Sequence, residues 1–388
     1  MNRRKKKLTL FLFIDAFGWA VKQRHPDFLD GRIADSRPLD TILGYSSACD
    51  PSIISGLTPA EHGLWSSYYY DPDGSPFKWT RPLAHLPDSI FQRGRVRNQL
   101  SKGIKQRCGF TGYFQLYAVP FKELHLFNYA EQKRIWEPGG LPRGESIFDR
   151  MANERLAFCT HDSDVPDEIR IERLMARIQQ QSIDFAYCSL GKLDALMHAK
   201  GNDHPEIGDL MQWYDGQIRA LLAAAEDNYE AVSWYLITDH GMHNVVEEYN
   251  LIADIEALGL EWNKEYAAFY DSTMARFWIL DETARRPISE CLKAHAKGTL
   301  LSEEELKAFG VWFDDGQYGD LVFLMDSGIQ IVPSFMGVKA CQGMHGYHPA
   351  DPDSLASISS NKPIPESIGK IQHIHRLMLD ELGLSCEP

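Results

Sequence analysis

The sequence predicts an α/β fold: a mostly parallel sheet sandwiched by helices, with two stretches inserted over it as caps. Two observations carry that expectation. Short apolar runs at 8–14 (LTLFLFI), 183–189 (IDFAYCS), 232–238 (VSWYLIT) and 321–325 (LVFLM) have the length and composition of strands buried on both faces. Helix-period segments lie between them, the alternation that builds a parallel sheet with helices on either side. At 388 residues, 44% hydrophobic and 24% charged, the chain suits one large domain, 1–388, carrying insertions.

The first run follows Arg3, Arg4, Lys5, Lys6 and Lys7 and so imitates a secretory leader. It is short, Asp15 ends it, and no small-residue cleavage site follows, so a strand is expected instead. Residues 66–150 are rich in Tyr, Phe, Pro and Gly with little periodicity, and are expected to be an irregular elaboration near the site. The segment 167–181 should be helical, because Ile169, Ile171, Leu174, Met175 and Ile178 share one face. The same holds for 205–226 through Ile207, Leu210, Met211, Tyr214, Ile218, Leu221 and Leu222. From 251 to 320 a helix-like start, a strand at 274–280 (MARFWIL) and an acidic helix near 302–309 are expected to form a small cap-like insertion.

Composition limits the setting. Cys49, Cys108, Cys159, Cys188, Cys291, Cys341 and Cys386 are odd in number and scattered, a poor framework for disulfides or zinc thiolates; reduced thiols in the cytoplasm are expected. No run approaches the ~18 apolar residues of a membrane span, so no membrane partner is expected. A net charge of −14, from 54 Asp+Glu against 40 Lys+Arg, argues against a nucleic-acid polymer, which calls for a basic face. A small phosphorylated substrate, held through metal ions, remains compatible.

The chemistry gathers just after the apolar runs, where open α/β sheets build their sites. Asp15 follows the first run directly. After the run at 183–189 come Asp194 and His198, whose spacing of four puts both on one side of a helical turn. Asp239 and His240 end the most apolar run, where a buried carboxylate needs a cation or strong donors to be tolerated. His345 stands between Gly343 and Gly346, small residues that let backbone approach a metal or ligand closely. Together these supply N/O ligands for two divalent cations without a thiolate, and such pairs stabilise the entering and leaving oxygens of phosphoryl transfer.

The remaining part is a nucleophile. The segment at 45–63 (YSSACDPSIISGLTPAEHG) resembles the nucleophile helix of the alkaline phosphatase superfamily, in its type I phosphodiesterase/nucleotide pyrophosphatase branch. There a Thr or Ser precedes by ten residues the Gly of a T/S-G-x-x-P-x-x-H-G ending; 55–63 fits that ending, and counting back from Gly56 gives Ser46. The family's Pro soon after the nucleophile is missing, and Pro51 would fall inside the helix, so Ser47 and Cys49 stay open as alternatives. Cys49 also opens a sulfatase-like C-x-P-S, but Ile53 stands where that motif has Arg.

The resemblance runs from Asp15 to His345 and implies an alkaline-phosphatase-like fold. It implies one metal on Asp15, Ser46, Asp239 and His240, and a second on Asp194, His198 and His345. Zinc suits these N/O donors; manganese or iron would also fit. The implied activity is hydrolysis of a phosphodiester or pyrophosphate bond in a small nucleotide- or nucleotide-sugar-like substrate through a phospho-serine. A phosphomonoesterase, a phosphonate or sulfate-ester hydrolase, or a phosphotransferase is the alternative on the same scaffold. Lys192 is the basic residue near the motifs that could clamp a phosphate, and the aromatic stretch 65–79 could stack on a base or sugar.

Overall fold

Strand β1 (Lys5–Ile14) lies inside the central sheet. In the computed structural model, which describes residues 5–85, 94–160 and 165–385, each of its side chains from Leu8 to Ile14 is buried. The two-residue period of a strand divides them: Phe11 and Phe13 enter one core, Leu8, Leu10, Leu12 and Ile14 another. Around it lie β2 (Asp35–Leu39), β3 (Phe158–Cys159), β4 (Phe185–Leu190), β5 (Tyr229–Ile237) and β6 (Ala356–Ser360), in the order β2-β6-β5-β1-β4-β3. Strands β5, β1, β4 and β3 are mutually parallel, and β6 runs antiparallel to β5 and β2.

Helices α1 (Ser46–Ser55) and α5 (His373–Leu382) pack on the Phe11/Phe13 face. On the other face lie α2 (Asp167–Gln179), α3 (Lys192–Lys200) and α4 (Pro205–Asn228). The sheet is therefore mostly parallel and sandwiched by helices.

Several details differ from expectation. Leu321–Met325 is a strand, but it belongs to a separate antiparallel sheet ordered Tyr266–Tyr270, Met274–Ile279, Leu321–Met325, Gly298–Leu300. An apolar run reports burial on both faces, and either sheet supplies that. Ile169 is 36% exposed, off the buried stripe of Ile171, Leu174 and Ile178. Strand β6 (ASISS) has little apolar signal; its Ser357 and Ser360 hydroxyls donate to the Phe17 and Trp234 carbonyls, which makes burial tolerable.

Within 66–150 lie helices Gly94–Cys108 and Ile147–Asn153 and an antiparallel pair, Tyr68–Tyr70 with Phe127–Tyr129. The rings of Trp65, Tyr68 and Phe77 are buried, with Trp65 against Tyr318 and Tyr68 against Phe269, so this stretch supplies core aromatics and leaves those rings no free face for a base. Among the described residues the cysteines form no disulfide, and no helix is long and apolar enough to cross a membrane. Arg3, Arg4 and Cys386 lie outside the described residues.

Helix α1 is fixed by the short helix Pro59–His62 that follows it. The Leu64 N–H donates to His62 Nδ1 at 3.2 Å, so Nε2 carries the proton and donates to Ser52 Oγ at 2.9 Å. Ser52 Oγ in turn donates to the Ala48 carbonyl at 3.0 Å. Burial holds the His62 pKa down at about 3. The folded protein thus refuses a proton that the unfolded chain accepts below ~6.5, and this contribution to stability is complete above that pH and declines as pH falls through the window between the two values. In urea unfolding followed by circular dichroism, wild type should lose about 2 kcal/mol more than His62→Asn between pH 7 and pH 5. Equal losses would place the acid sensitivity elsewhere.

Candidate metal centre and active site

Strand register assembles the site. Ile14 pairs with Leu190 and Phe13 with Ile237, so whatever follows β1, β4 and β5 leaves the sheet at one edge. Asp15 follows β1 and donates its N–H to the Leu190 carbonyl at 3.0 Å. Asp239 and His240 follow β5, while Gly191 turns the chain from β4 into α3, which carries Asp194 and His198. His345 arrives from the far end of the sequence on Gly343–Met344, which pairs antiparallel with His243–Asn244.

The expected residues fall into two groups of N/O donors, Asp15/Asp239/His240 and Asp194/His198/His345, and within each the donor atoms lie within 4.8 Å of one another. His240 Nε2 is 3.0 Å from Asp239 Oδ2 and 3.8 Å from Asp15 Oδ1. Asp194 Oδ1 is 3.2 Å from His198 Nε2 and 3.8 Å from His345 Nε2. The groups adjoin, because the His240 and His345 rings stack with centroids 3.7 Å apart. A further group, His243/Asp351/Asp353, is already engaged: His243 Nε2 meets Ser354 Oγ at 2.9 Å, and Asp351 accepts from Ser327 Oγ and the Asp353 N–H.

Hydrogen bonds fix two of the imidazoles. His240 Nδ1 donates to the Gly241 carbonyl at 2.9 Å and His198 Nδ1 to the Gly343 carbonyl at 2.8 Å, since a carbonyl can only accept. In the neutral rings this leaves Nε2 free to ligate, the arrangement that orients metal-binding histidines. Asp15 Oδ1, Asp194 Oδ1, Asp239 Oδ2 and His345 Nδ1 are buried without a hydrogen bond. Burial, then the Asp239 and Asp194 charges, push the Asp15 carboxyl well above its ordinary range. Burial works against a charge on His198, yet Asp194 raises its pKa well above 6.5. Orphaned, mutually repelling carboxylates beside free imidazole nitrogens are a donor set that divalent cations fit.

Of the nucleophile candidates, Ser46 is the one against these groups. It is the first residue of α1, with Oγ 3.1 Å from His240 Nε2. Ser47 Oγ donates to the Trp65 carbonyl at 3.4 Å. Cys49 is buried with Sγ 3.7 Å from Thr41 Oγ1, and burial raises its thiol pKa well above 9.0. Pro51 sits inside α1 without ending it; the ladder forfeits one N–H, while Ile53 and Ile54 remain packed in the core.

Other features were not legible beforehand. Asp50 stands four residues after Ser46 on α1, with Oδ1 buried and unpartnered and its pKa raised by burial and by Asp239. Lys192 contacts Glu168 and covers the Trp213 ring, so it is engaged away from the two groups. The glycines around His345 admit protein. A Cβ on Gly343 would lie 2.6 Å from the Met197 carbonyl, and Gly346, at φ +87°, would bring one 2.8 Å from the Tyr45 ring.

Residues 44–348 match the family described as type I phosphodiesterase / nucleotide pyrophosphatase, a span that includes Ser46, Asp194, His198, Asp239, His240 and His345 but not Asp15. No curated protein matches the chain. Among solved structures, murine ectonucleotide pyrophosphatase / phosphodiesterase 5 is similar at 15% identity and TM-score 0.70, and the human protein at 13% and 0.69. An inactive form of the murine protein in complex with AMP matches at 14% and 0.69. Each match covers 99% of this chain and 96% of the other, a likeness of fold over nearly the whole length.

Helix α3 owes its start to a distant carboxylate. Buried Asp167 accepts from the Gly191 N–H at Oδ1 (3.2 Å), and from the Lys192 N–H (3.1 Å) and the Tyr214 hydroxyl (2.6 Å) at Oδ2. Both oxygens receive donors, so an amide there must turn its NH2 toward one of them. Asp167→Asn should therefore destabilise the protein by about 2–3 kcal/mol in urea unfolding. A change below ~0.5 kcal/mol would mean that α3 is held by packing alone.

Proposed function

The chain belongs to the type I phosphodiesterase / nucleotide pyrophosphatase family and is a hydrolase of phosphodiester or pyrophosphate bonds; within that class, we propose that Ser46 is the nucleophile and that the two N/O groups hold two divalent cations, zinc first among candidates. The observation that carries this reading is the Ser46 hydroxyl at the head of α1, 3.1 Å from His240 Nε2 and beside the Asp15/Asp239/His240 group. Such cations, when bound, supply Lewis-acid charge that activates a hydroxyl and stabilises the oxygens entering and leaving phosphorus.

The chain's own residues do the rest. Asp15, Asp239 and His240 would hold Ser46 Oγ facing the substrate phosphorus. Attack by Oγ forms a phospho-serine as the bond to the leaving oxygen breaks, and water then releases the phosphoryl group and restores the hydroxyl. Asp194, His198 and His345 would orient the second half of the reaction. The engagement of Lys192 by Glu168, with Asp239, Asp194 and Asp50 converging on Asp15, favours a diester or anhydride, with less local negative charge than a monoester dianion.

We extend the reading to a small nucleotide-like substrate and away from a nucleic-acid polymer, supported by the family and by the AMP held by the inactive murine neighbour. Tyr113, 55% exposed, is the ring offered for stacking; burial of its phenol, then the Glu131 and Asp194 charges, raise its pKa.

Wild-type protein should carry about two divalent ions per chain by elemental analysis and hydrolyse bis-p-nitrophenyl phosphate faster than p-nitrophenyl phosphate. Ser46→Ala should keep the metal and lose at least ~10³-fold in kcat, with the covalent adduct absent from the intact mass after quenching. Metal-free wild type or an active Ser46→Ala would overturn the assignment. Tyr113→Ala should raise KM for the p-nitrophenyl ester of thymidine 5′-phosphate about 10-fold and that for methyl p-nitrophenyl phosphate less than ~2-fold. Equal effects on both would remove Tyr113 from base recognition.

A further inference from the structure

The turn of the second sheet between Tyr266–Tyr270 and Met274–Ile279 reaches two segments that carry reactive groups. Thr273 is fully buried there. Its N–H donates to Tyr45 Oη at 3.0 Å, its Oγ1 is 2.8 Å from Tyr45 Oη, and its Oγ1 donates to the Gly346 carbonyl at 2.9 Å. The directions are determined. A carbonyl has no proton to give, so the Thr273 hydroxyl proton is committed to Gly346 and the Tyr45 proton to Thr273.

Tyr45 immediately precedes Ser46, and Gly346 immediately follows His345. One side chain therefore joins the neighbour of the nucleophile to the neighbour of a residue in the opposite N/O group. The fit is close: a Cβ on Gly346 would stand 2.8 Å from Tyr45 Cε1 and 3.0 Å from Thr273 Oγ1, and the Tyr45 ring meets the His345 ring edge-on at 5.7 Å. The turn is itself anchored. Arg276 donates to Asp271 Oδ2 and to Ser66 Oγ, each at 2.9 Å, and Ser66 Oγ donates to Asp271 Oδ1 at 3.0 Å, all three residues being buried.

We propose that Thr273 is a positioning residue for hydrolysis, setting the separation between Ser46 and the Asp194/His198/His345 group through Tyr45 and Gly346. The inference rests on the roles given above to Ser46 and His345. Thr273 touches no substrate; it acts through the two backbone segments it ties together. Loss of its hydroxyl releases the Gly346 carbonyl and leaves Tyr45 Oη held by the Thr273 N–H alone, whereas loss of its methyl breaks none of these bonds.

The test compares Thr273→Val, Thr273→Ser and Tyr45→Phe in full-length protein. Thr273→Val should lower kcat for bis-p-nitrophenyl phosphate about 10- to 100-fold with KM within ~2-fold. In titrations of metal-stripped protein with Co²⁺, it should weaken one of the two ions about 10-fold and alter the visible spectrum of that ion. Thr273→Ser should keep kcat and Co²⁺ affinity within ~3-fold of wild type, and Tyr45→Phe, which removes the acceptor of the Thr273 N–H, should impair Thr273→Val further. A Thr273→Val protein that melts earlier but keeps wild-type kcat per folded molecule and both Co²⁺ affinities would overturn the proposal, as would a Thr273→Ser protein as impaired as Thr273→Val. Ser46→Ala and His345→Ala in the same assays separate the two levels. If those lose turnover or metal while Thr273→Val is silent, only this inference fails; if they are silent too, the assignment of Ser46 and His345 fails with it.

Discussion

Two carboxylates at the ends of neighbouring parallel strands are the constraint on which the site depends. β1 from Leu8 to Ile14 and β5 from Ser233 to Ile237 are buried on both faces, so neither can carry a charge there without burying it between cores. The first place that tolerates a carboxylate is where the strand stops, and the pairing of Phe13 with Ile237 makes both strands stop at the same level. Asp15 and Asp239 are thereby brought together by register alone, and burial, with the Asp239 charge added to it, raises the Asp15 pKa well above its ordinary range. The remaining donors are fitted around that pair, with His240 beside both carboxylates and the His345 ring stacked on His240.

Histidine serves two ends in this molecule, and burial distinguishes them poorly. His62 and His375 are held neutral by burial, with pKa values down at about 3 and about 4. His62 meets a serine hydroxyl and a backbone N–H, partners suited to a neutral ring. His240 is buried and His198 half-buried, but each gives Nδ1–H to a carbonyl and presents Nε2 to a carboxylate. The partner of the second nitrogen separates structural from metal-directed histidine. The P-x-x-H-G signature thus holds α1 in place through His62, while Ser46 at the other end of that helix faces His240 of the Asp15/Asp239/His240 group.

What the sequence made legible was local. Asp15, Asp239 and His240 each adjoin an apolar run, and Asp194 and His198 are one helical turn apart, so their proximity follows from strand and helix geometry. Ser46 was fixed only by its distance from Gly56, and its separation from Ser47 and Cys49 required knowing which way α1 turns: Ser47 toward the Trp65 carbonyl, Cys49 toward Thr41. Thr273, Asp167 and Asp50 carried no signal, because what makes each matter lies on another segment: Tyr45 and Gly346, the start of α3, and Asp239. Strand β6 was hidden for a different reason. Ser357 and Ser360 spend their hydroxyls on carbonyls inside the fold, so a polar string behaves as an inner strand.

The net charge of −14 then has a restricted meaning. At physiological ionic strength, fields from exposed charges fade over about 8 Å, much less than the width of a domain this size. A small phosphorylated substrate at the site therefore responds chiefly to the nearest charges, here the carboxylates of Asp15, Asp194, Asp239 and Asp50. Left uncompensated, those would repel it; two divalent ions held by the proposed groups would reverse the sign locally without changing the acidic exterior. A long polyanion would run past that short range and meet the exterior. The same sequence charge that disfavours a polymer thus leaves a small diester acceptable, provided the carboxylates are matched by cations at the strand ends.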